Sequence, residues 1–395
     1  MKRRWVLTLL AVLSVLKLCI AQTVQCTDTT YYDDNGKTIK SVVGYSIIQN
    51  DTIKSGPAVY YFTTGGLWQK GFHKNDKFDS LWTIYYPNGH MSNEKYYKEG
   101  IKNGNFADYY DNGVVKDRGT YSNDSLTGLM TLYFDDGQVN ETRNYKGNKL
   151  NGIMTGYYPD GNLNYRINFI DSLQNGLYES YYPSGKLKEK GLVKDQLFYD
   201  TFRTYYENGH VEKEFTYKNF AIEGPYTVYH DSGQVMNQCT YINGKPEGLS
   251  KEYYKDGSLY ETGQYRSGKR EGTWMSYYPD STVYMEGNYE QGIAQGLWNV
   301  YHPNGQLKQT GVYKDGLSEG PWQFFYTSGQ VKRKGTYVKN QYNGHWVYFY
   351  PNGKVKLDLN YNMGKLEGIL TAFDDQGNIL EKAEYMDNQL IKKIK

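Results

Sequence analysis

The sequence has 395 residues, among them 44 tyrosines, 43 glycines and 10 prolines, and its formal net charge at pH 7 is +2. A charge so close to zero argues against a general electrostatic attraction to nucleic acid. The recurrent glycine and proline leave no long periodic stretch, which excludes a fold built on regular helices.

The first 21 residues predict a secretory signal peptide. The basic residues 2–4 precede an apolar stretch that ends at Ile20, and the small residues Cys19 and Ala21 stand where a signal peptidase needs them. Lys17 interrupts the apolar run, which argues against a membrane anchor. We therefore expect cleavage after Ala21 and a secreted, periplasmic or cell-surface protein, with membrane attachment only if Cys19 is lipidated.

Residues 22–55 are less regular than the rest of the chain, and we expect them to form an N-terminal cap. The segment YYDDNG at Tyr31–Gly36 looks like one more repeat unit, five residues out of phase with the others. At the other end, lysines 392, 393 and 395 are expected on the last strand, where their charges discourage end-to-end growth of a sheet.

From residue 56 to residue 395 the sequence repeats every 24 residues without insertion or deletion. An apolar residue stands two positions after each anchor, and a Tyr or Phe stands four positions before it. A period this strict indicates that each unit stacks in register on its neighbour. The 14 anchors are Gly65, Gly89, Gly113, Gly137, Gly161, Gly185, Gly209, Gly233, Gly257, Ser281, Gly305, Gly329, Gly353 and Gly377.

Each unit is predicted to be a β-hairpin. The anchor dipeptide is Asn-Gly in five copies and Asp-Gly in three, which favours a two-residue turn with positive φ at both positions. Pairing outward from this turn places His302 opposite Leu307, and it places a ring opposite a glycine twice, in the pairs Trp298–Gly311 and Gly296–Tyr313. A second turn near KDG or RSG joins successive hairpins. The predicted fold is all-β, an elongated and twisted antiparallel meander of tandem hairpins.

The unit EGPWQFFYTSGQVKRKGTYVKNQYNG, from Glu319 to Gly344, resembles the MORN repeat in its bacterial variant form. The shared features are Gly-x-Trp-x-x-Tyr, the turn glycine and Gly-x-Tyr, and they recur over residues 56–390. Chains of this kind are similar to bacterial antitoxin components of the YwqK type. The resemblance implies an all-β hairpin array with a binding role and no catalytic residues.

Some repeats depart from the family pattern. Around residues 192–222, Val193 replaces a Tyr, Asp200 replaces a Gly, and Phe215 and Phe220 occupy glycine positions. Choline-binding repeats are also hairpins rich in glycine and aromatic residues, but their units are shorter and usually carry Trp-Tyr pairs. They are therefore the second choice of family.

No cofactor, metal or catalytic group is predicted. None of the six histidines shows a metal-binding spacing, and His230 and His302 replace a Tyr at the same repeat position. The stretch GQYRSGKR, from Gly263 to Arg270, fits half of a phosphate-binding loop. Its glycines hold positions set by the repeat, and no helix follows, so it is interpreted as an ordinary turn.

Aromatic residues carry the functional hypothesis. A single-layer sheet cannot bury both faces, and exposed aromatic surface often marks binding. We expect a strip of partner-binding residues in the C-terminal half, although the same residues also fit a role in packing. The strip consists of Trp274, Trp298, Trp322 and Trp346, flanked by Tyr278, His302, Tyr326 and Tyr350.

The leading hypothesis is a non-catalytic secreted scaffold that binds a protein partner, such as a toxin or a cell-envelope protein. The family resemblance suggests toxin neutralisation or immunity, whereas the signal peptide argues against a cytoplasmic antitoxin. The alternative is a glycan-binding module that uses ladders of aromatic rings. An enzyme is the third hypothesis, and the repeats that deviate from the pattern carry Phe where a catalytic cluster would need His, Asp or Glu.

Overall fold

The structure is a computed structural model that describes residues 4–6, 24–48 and 51–395. Every regular element in these ranges is a β-strand, which confirms the predicted all-β array of hairpins. Within the same ranges, no helix is long and apolar enough to cross a membrane. The predicted signal peptide lies outside the described residues, apart from residues 4–6. Contacts divide the chain into two compact units, residues 1–197 and 198–395.

The first unit is an antiparallel meander in which consecutive strands pair, and a single-residue break separates β12 from β13. Its strands are β1 (Arg4–Val6), β2 (Val24–Tyr31), β3 (Ile39–Ile48), β4 (Asp51–Tyr61), β5 (Leu67–Lys74), β6 (Lys77–Tyr85), β7 (Met91–Lys98), β8 (Ile101–Tyr109), β9 (Val115–Ser122), β10 (Ser125–Tyr133), β11 (Val139–Lys146), β12 (Lys149–Leu150), β13 (Gly152–Tyr157), β14 (Leu163–Ile170), β15 (Leu173–Tyr181) and β16 (Leu187–Lys194).

The second unit has the same organisation, and a break at residue 367 separates β31 from β32. Its strands are β17 (Leu197–Tyr205), whose first residue belongs to the first unit, β18 (Val211–Lys218), β19 (Ala221–Tyr229), β20 (Val235–Ile242), β21 (Lys245–Tyr253), β22 (Leu259–Arg266), β23 (Lys269–Tyr277), β24 (Val283–Glu290), β25 (Ile293–Tyr301), β26 (Leu307–Lys314), β27 (Leu317–Phe325), β28 (Val331–Val338), β29 (Gln341–Phe349), β30 (Val355–Asn362), β31 (Lys365–Leu366), β32 (Gly368–Phe373), β33 (Ile379–Met386) and β34 (Gln389–Lys393).

The turn at each anchor differs from the predicted two-residue turn. At Gly305, the amide donates to the carbonyl of His302 at 2.9 Å, and the His302 amide donates to the carbonyl of Gln306 at 2.7 Å. Gly305 has φ +80°, whereas the φ of Asn304 is not positive. This is a three-residue loop, in which a type I turn is followed by a left-handed glycine.

The longer loop changes the register next to the turn. Tyr301, not His302, pairs with Leu307, so the predicted pair His302–Leu307 is wrong. The register shifts by one residue between Val300 and Tyr301, and the pairs farther from the turn follow the predicted register. Trp298 therefore faces Gly311, as the sequence indicates.

The second turn of each 24-residue repeat is the one with two left-handed residues. Between β26 and β27, Asp315 has φ +51° and Gly316 has φ +78°, which defines a type I′ turn. The corresponding turn between β18 and β19 contains Phe220, a non-glycine residue with φ +68°. The doubly left-handed turn therefore lies at the opposite end of the hairpin from the one that the Asn-Gly and Asp-Gly dipeptides predict.

The N-terminal segment, expected to be a cap, consists of long strands. β2 pairs with β3 from Val24–Ile47 to Tyr31–Ile39, and β3 pairs with β4. Val43 and Ala58 lie opposite each other there and form a small buried core with Trp82.

Candidate interaction surface

The four tryptophans of the predicted strip occupy equivalent positions in β23, β25, β27 and β29. Three of them, Trp274, Trp298 and Trp322, pair with a glycine on the following strand, as expected. Each ring, however, lies over a glycine of the preceding strand. A Cβ atom added to Gly311 would lie 2.0 Å from the ring of Trp322, so only glycine fits there.

The indole rings are buried. None of the four tryptophans is more than 7% exposed. They alternate with tyrosines in an edge-to-face stack, in which the centroids of Trp298 and Tyr313 are 5.6 Å apart and those of Tyr313 and Trp322 are 5.3 Å apart. Such pairs stabilise a fold beyond the area that they bury. The strip therefore supplies the packing of the second unit, and its indoles present little surface to a partner.

The flanking residues of the strip connect successive repeats. The hydroxyl groups of Tyr278, Tyr326 and Tyr350 each donate to the main-chain carbonyl 23 residues further on, at 2.8–2.9 Å. His302 replaces the tyrosine at this position, and its Nε2 lies 3.2 Å from the carbonyl oxygen of Phe325. His230 does the same with Tyr253, at 3.0 Å. Both histidines thus act as substitutes for tyrosine in a structural contact.

A second set of contacts joins the opposite ends of neighbouring repeats in the second unit, and the hairpin pattern alone does not predict it. The carboxylate of Glu271 accepts a hydrogen bond from the main-chain N–H of Gln291 at 2.9 Å, and that of Glu319 accepts one from the main-chain N–H of Lys339 at 3.0 Å. In each case the acceptor precedes a bulge glycine and the donor lies 20 residues later. The recurring Glu-Gly dipeptide was the available signal. Together with the tyrosine contacts, these bonds join each of these repeats to the next at both ends of the hairpins.

The opposite face of the sheet carries exposed aliphatic side chains. Residues that directly precede the buried ring position point away from it, because successive side chains of a strand alternate between faces. In the first unit, Leu129, Ile153 and Leu177 occupy this position in three successive repeats. We call them the aliphatic column. Leu129 and Ile153 are each at least 50% exposed. The same position in the second unit includes Leu249 and Leu297, which are also exposed.

One pair of carboxyl groups in the first unit is electrostatically unusual. Asp117 on β9 faces Asp108 on β8, whose Oδ1 lies 3.0 Å from the Nζ of Lys95. Burial, and after it the nearby charge of Asp108, raises the pKa of Asp117 to about 6. Asp117 therefore takes up its negative charge near pH 6, above the usual range for an Asp side chain.

The remaining candidates for chemistry are a glycine-rich turn and the cysteines. In the stretch from Gly263 to Arg270, Ser267 and Gly268 form a type I′ turn with φ +50° and +84°. Within the part of the chain that the structure describes, no three His, Cys, Asp or Glu side chains lie close enough to hold a metal ion. The two described cysteines, Cys26 and Cys239, are free and buried.

Comparison with known families gives one clear match. A sequence model for the MORN repeat variant matches eleven segments that together cover more than half of the chain. The segments are residues 79–99, 126–146, 150–171, 174–195, 201–219, 222–243, 246–267, 270–291, 294–315, 318–339 and 342–363. None of the curated proteins matches the sequence.

Solved structures of toxin complexes show a distant similarity. The TcdB2-TccC3-Cdc42 complex is 11% identical over 93% of this chain, with a TM-score of 0.14. TcdB2-TccC3 is 12% identical over 93% of this chain, with a TM-score of 0.17. The Tc holotoxin pore of Photorhabdus luminescens is 11% identical over 91%, with a TM-score of 0.14. This chain covers only 23–26% of the matched chains, and TM-scores this low establish neither a common fold nor a common function.

Proposed function

Because this chain belongs to the MORN repeat variant family, we propose that it is a non-catalytic scaffold that binds a protein partner. The partner would bind on the face of the sheet opposite the buried aromatic rings. The aliphatic column carries this proposal. Leu129, Ile153 and Leu177 stand in successive repeats, two strands or about 9.6 Å apart, and form a row of exposed apolar groups on a regular sheet. Exposed apolar groups arranged in this way are typical of a contact surface for another protein.

The neighbours of the column support a protein as the occupant. Ile153 pairs with Asn168, and Leu129 pairs with Asn144, so polar amides stand beside the aliphatic groups. Apolar anchors beside polar groups are common in protein interfaces. The described contacts between repeats would hold the side chains of the aliphatic column at fixed spacing, which lowers the entropy lost on binding.

We propose that the protein acts outside the cytoplasm, which is where the predicted signal peptide would direct it. There it would bind a toxin or a cell-envelope protein, in a role of immunity or neutralisation. This role rests on the resemblance of the repeat unit to bacterial antitoxin components of the YwqK type that its motifs suggest.

The test is capture of partners from a cell-envelope extract on the immobilised protein, with matched surface variants. Ile153→Glu and Leu177→Glu place a charge in the column and should abolish capture. Ile170→Glu is the control, because Ile170 is an aliphatic residue of similar exposure that lies beside a turn and outside the column. Equal capture by all variants, or displacement of the captured material by purified polysaccharide, would overturn the proposal. The second result would favour the glycan-binding alternative.

A further inference from the structure

The second unit contains a cavity of about 410 Å³ with an unusual concentration of positive charge. It lies where the strands from β25 to β29 approach the anchor turns. Four aromatic rings, one of them an imidazole, and a glutamine complete its wall. The lining residues are His302, Lys308, Gln309, Phe324, Phe325, Lys332, Arg333 and Tyr348.

Arg333 is held in a fixed position in this cavity. It pairs with Phe324 on one neighbouring strand and with Tyr348 on the other. Its guanidinium carbon lies 4.0 Å from the centre of the Phe324 ring, and its Nη1 donates to the hydroxyl of Tyr342 at 3.0 Å. Contact with the face of an aromatic ring orients a guanidinium group without neutralising its charge.

The positive charge of Arg333 is not balanced nearby. Two other arginines of the same unit meet carboxylates: Arg270 bonds to Glu261 at 2.6 Å, and Arg203 bonds to Glu214 on the facing strand. Among residues 198–395, no carboxylate lies within 4.0 Å of the guanidinium of Arg333. A partly buried charge without a counter-ion is unfavourable, so this site favours an added anion.

The surrounding sequence has the same sign of charge. Residues 301–360 contain eight Lys and Arg but only three Asp and Glu, in a chain whose formal net charge is +2. Lys308 and Lys332 occupy equivalent positions in successive repeats, two strands or about 9.6 Å apart. That distance equals about three residues of an extended chain.

We propose that this cavity binds the carboxylate side chains of an acidic, extended segment of a protein partner. The planar guanidinium of Arg333 matches a carboxylate through two parallel hydrogen bonds, and Lys308 and Lys332 attract further acidic residues about three positions apart. The rings of Phe324 and Phe325 contact the aliphatic part of the acidic side chain. This inference rests on the proposed scaffold function and names the chemistry of the partner.

The test uses the purified full chain, with poly-L-glutamate and a polyuronate as separate probes in isothermal titration calorimetry. Arg333→Gln should weaken poly-L-glutamate binding at least tenfold. Arg203→Gln is the matched control, because it also removes a guanidinium group from a pair of facing strands, and it should bind like the native chain. The affinity of the native chain should fall as salt rises from low to physiological concentration, and the Arg333→Gln variant should show a smaller dependence.

A second variant distinguishes loss of binding from loss of folding. Lys308→Gln combined with Lys332→Gln changes two exposed side chains and should lower the affinity without lowering the melting temperature. Equal affinity of the native chain and Arg333→Gln would overturn the site. Binding of the polyuronate alone would overturn a peptide as the ligand. If either occurs while capture still depends on Ile153, the acidic-segment proposal fails and the scaffold function stands.

Discussion

The indole of Trp322 lies flat against Gly311, so close that a Cβ atom on this glycine would lie 2.0 Å from the ring. The two residues pair directly across β26 and β27. Gly311 is therefore part of the packing of the sheet, since its missing side chain leaves the space that the indole fills.

Gly311→Ala should destabilise the second unit by about 1–3 kcal/mol, the usual cost of overpacking a filled site. The change forces the buried ring of Trp322 to move. Chemical unfolding followed by circular dichroism measures the loss. Gly66→Ala is the control, because a Cβ atom there meets only ordinary contacts at 3.8 Å or more, and its stability should change little. An equal effect of both changes would contradict the packing role of Gly311.

Trp322→Ala should lower the free energy of unfolding by about 3–5 kcal/mol, as the loss of a large buried ring does. The affinity of the folded protein for its partner should stay the same, because Trp322 is only 4% exposed. Trp68→Ala removes an exposed indole of the first unit and should cost much less stability. A loss of affinity in folded Trp322→Ala protein would restore the tryptophan strip as a contact surface.

Tyr326→Phe should lower stability by about 1 kcal/mol, because it removes one hydrogen bond and leaves a carbonyl without its partner. The lost bond joins the Tyr326 hydroxyl to the carbonyl of Phe349 at 2.8 Å. Tyr96→Phe, at an exposed tyrosine, should have no measurable effect on the unfolding midpoint. If the two variants unfold alike, the hydroxyl contacts between repeats contribute nothing to stability.

Asp117 should make the first unit less stable as the pH rises from about 4 to about 6. Burial and the charge of Asp108 raise the pKa of Asp117 to about 6 in the folded protein, against about 3.9 for an unfolded chain. The folded state therefore holds more protons in this range, and stability is lost as they dissociate.

Asp117→Asn should remove this dependence. The free energy of unfolding of the variant, relative to that of the native protein, should therefore increase by on the order of 1 kcal/mol between pH 4 and pH 7, allowing for solvent screening. Urea unfolding at both pH values measures the difference. The same change at the exposed Asp34 is the control. A difference between variant and native protein that does not grow with pH would contradict the shifted pKa.

Phe220→Gly should stabilise the second unit by about 1 kcal/mol, because a left-handed backbone costs roughly that much in a residue with a side chain. Phe220 has φ +68° and is 76% exposed, so it contributes little packing in return. Phe220→Ala keeps the strain and serves as the control. Its melting temperature should stay near that of the native protein, whereas that of Phe220→Gly should rise. A glycine variant that melts lower would mean that the Phe220 ring makes a stabilising contact.

Local signals in the sequence were enough to predict the hairpin array. The Asn-Gly and Asp-Gly dipeptides, the alternation along each strand and the strict period act over a few residues, so the pairing of Trp298 with Gly311 could be derived by counting outward from a turn. The counting failed beside the turn itself, at His302. Asn-Gly fits both a two-residue turn and a type I turn with a following left-handed glycine, and the residues alone do not distinguish them.

The sequence by itself determined the all-β class, the hairpin unit and the repeat period, because each follows from short-range geometry repeated many times. Its recurring motifs carried the resemblance to the MORN repeat family. Only the tertiary structure decided which aromatic residues are exposed. The ring of Trp322 is buried because a glycine on the preceding strand and tyrosines on both neighbouring strands surround it, and Arg333 keeps an unbalanced charge because no carboxylate reaches it within its unit. Burial and charge balance depend on neighbours from different repeats, and the pattern of a single repeat does not contain them.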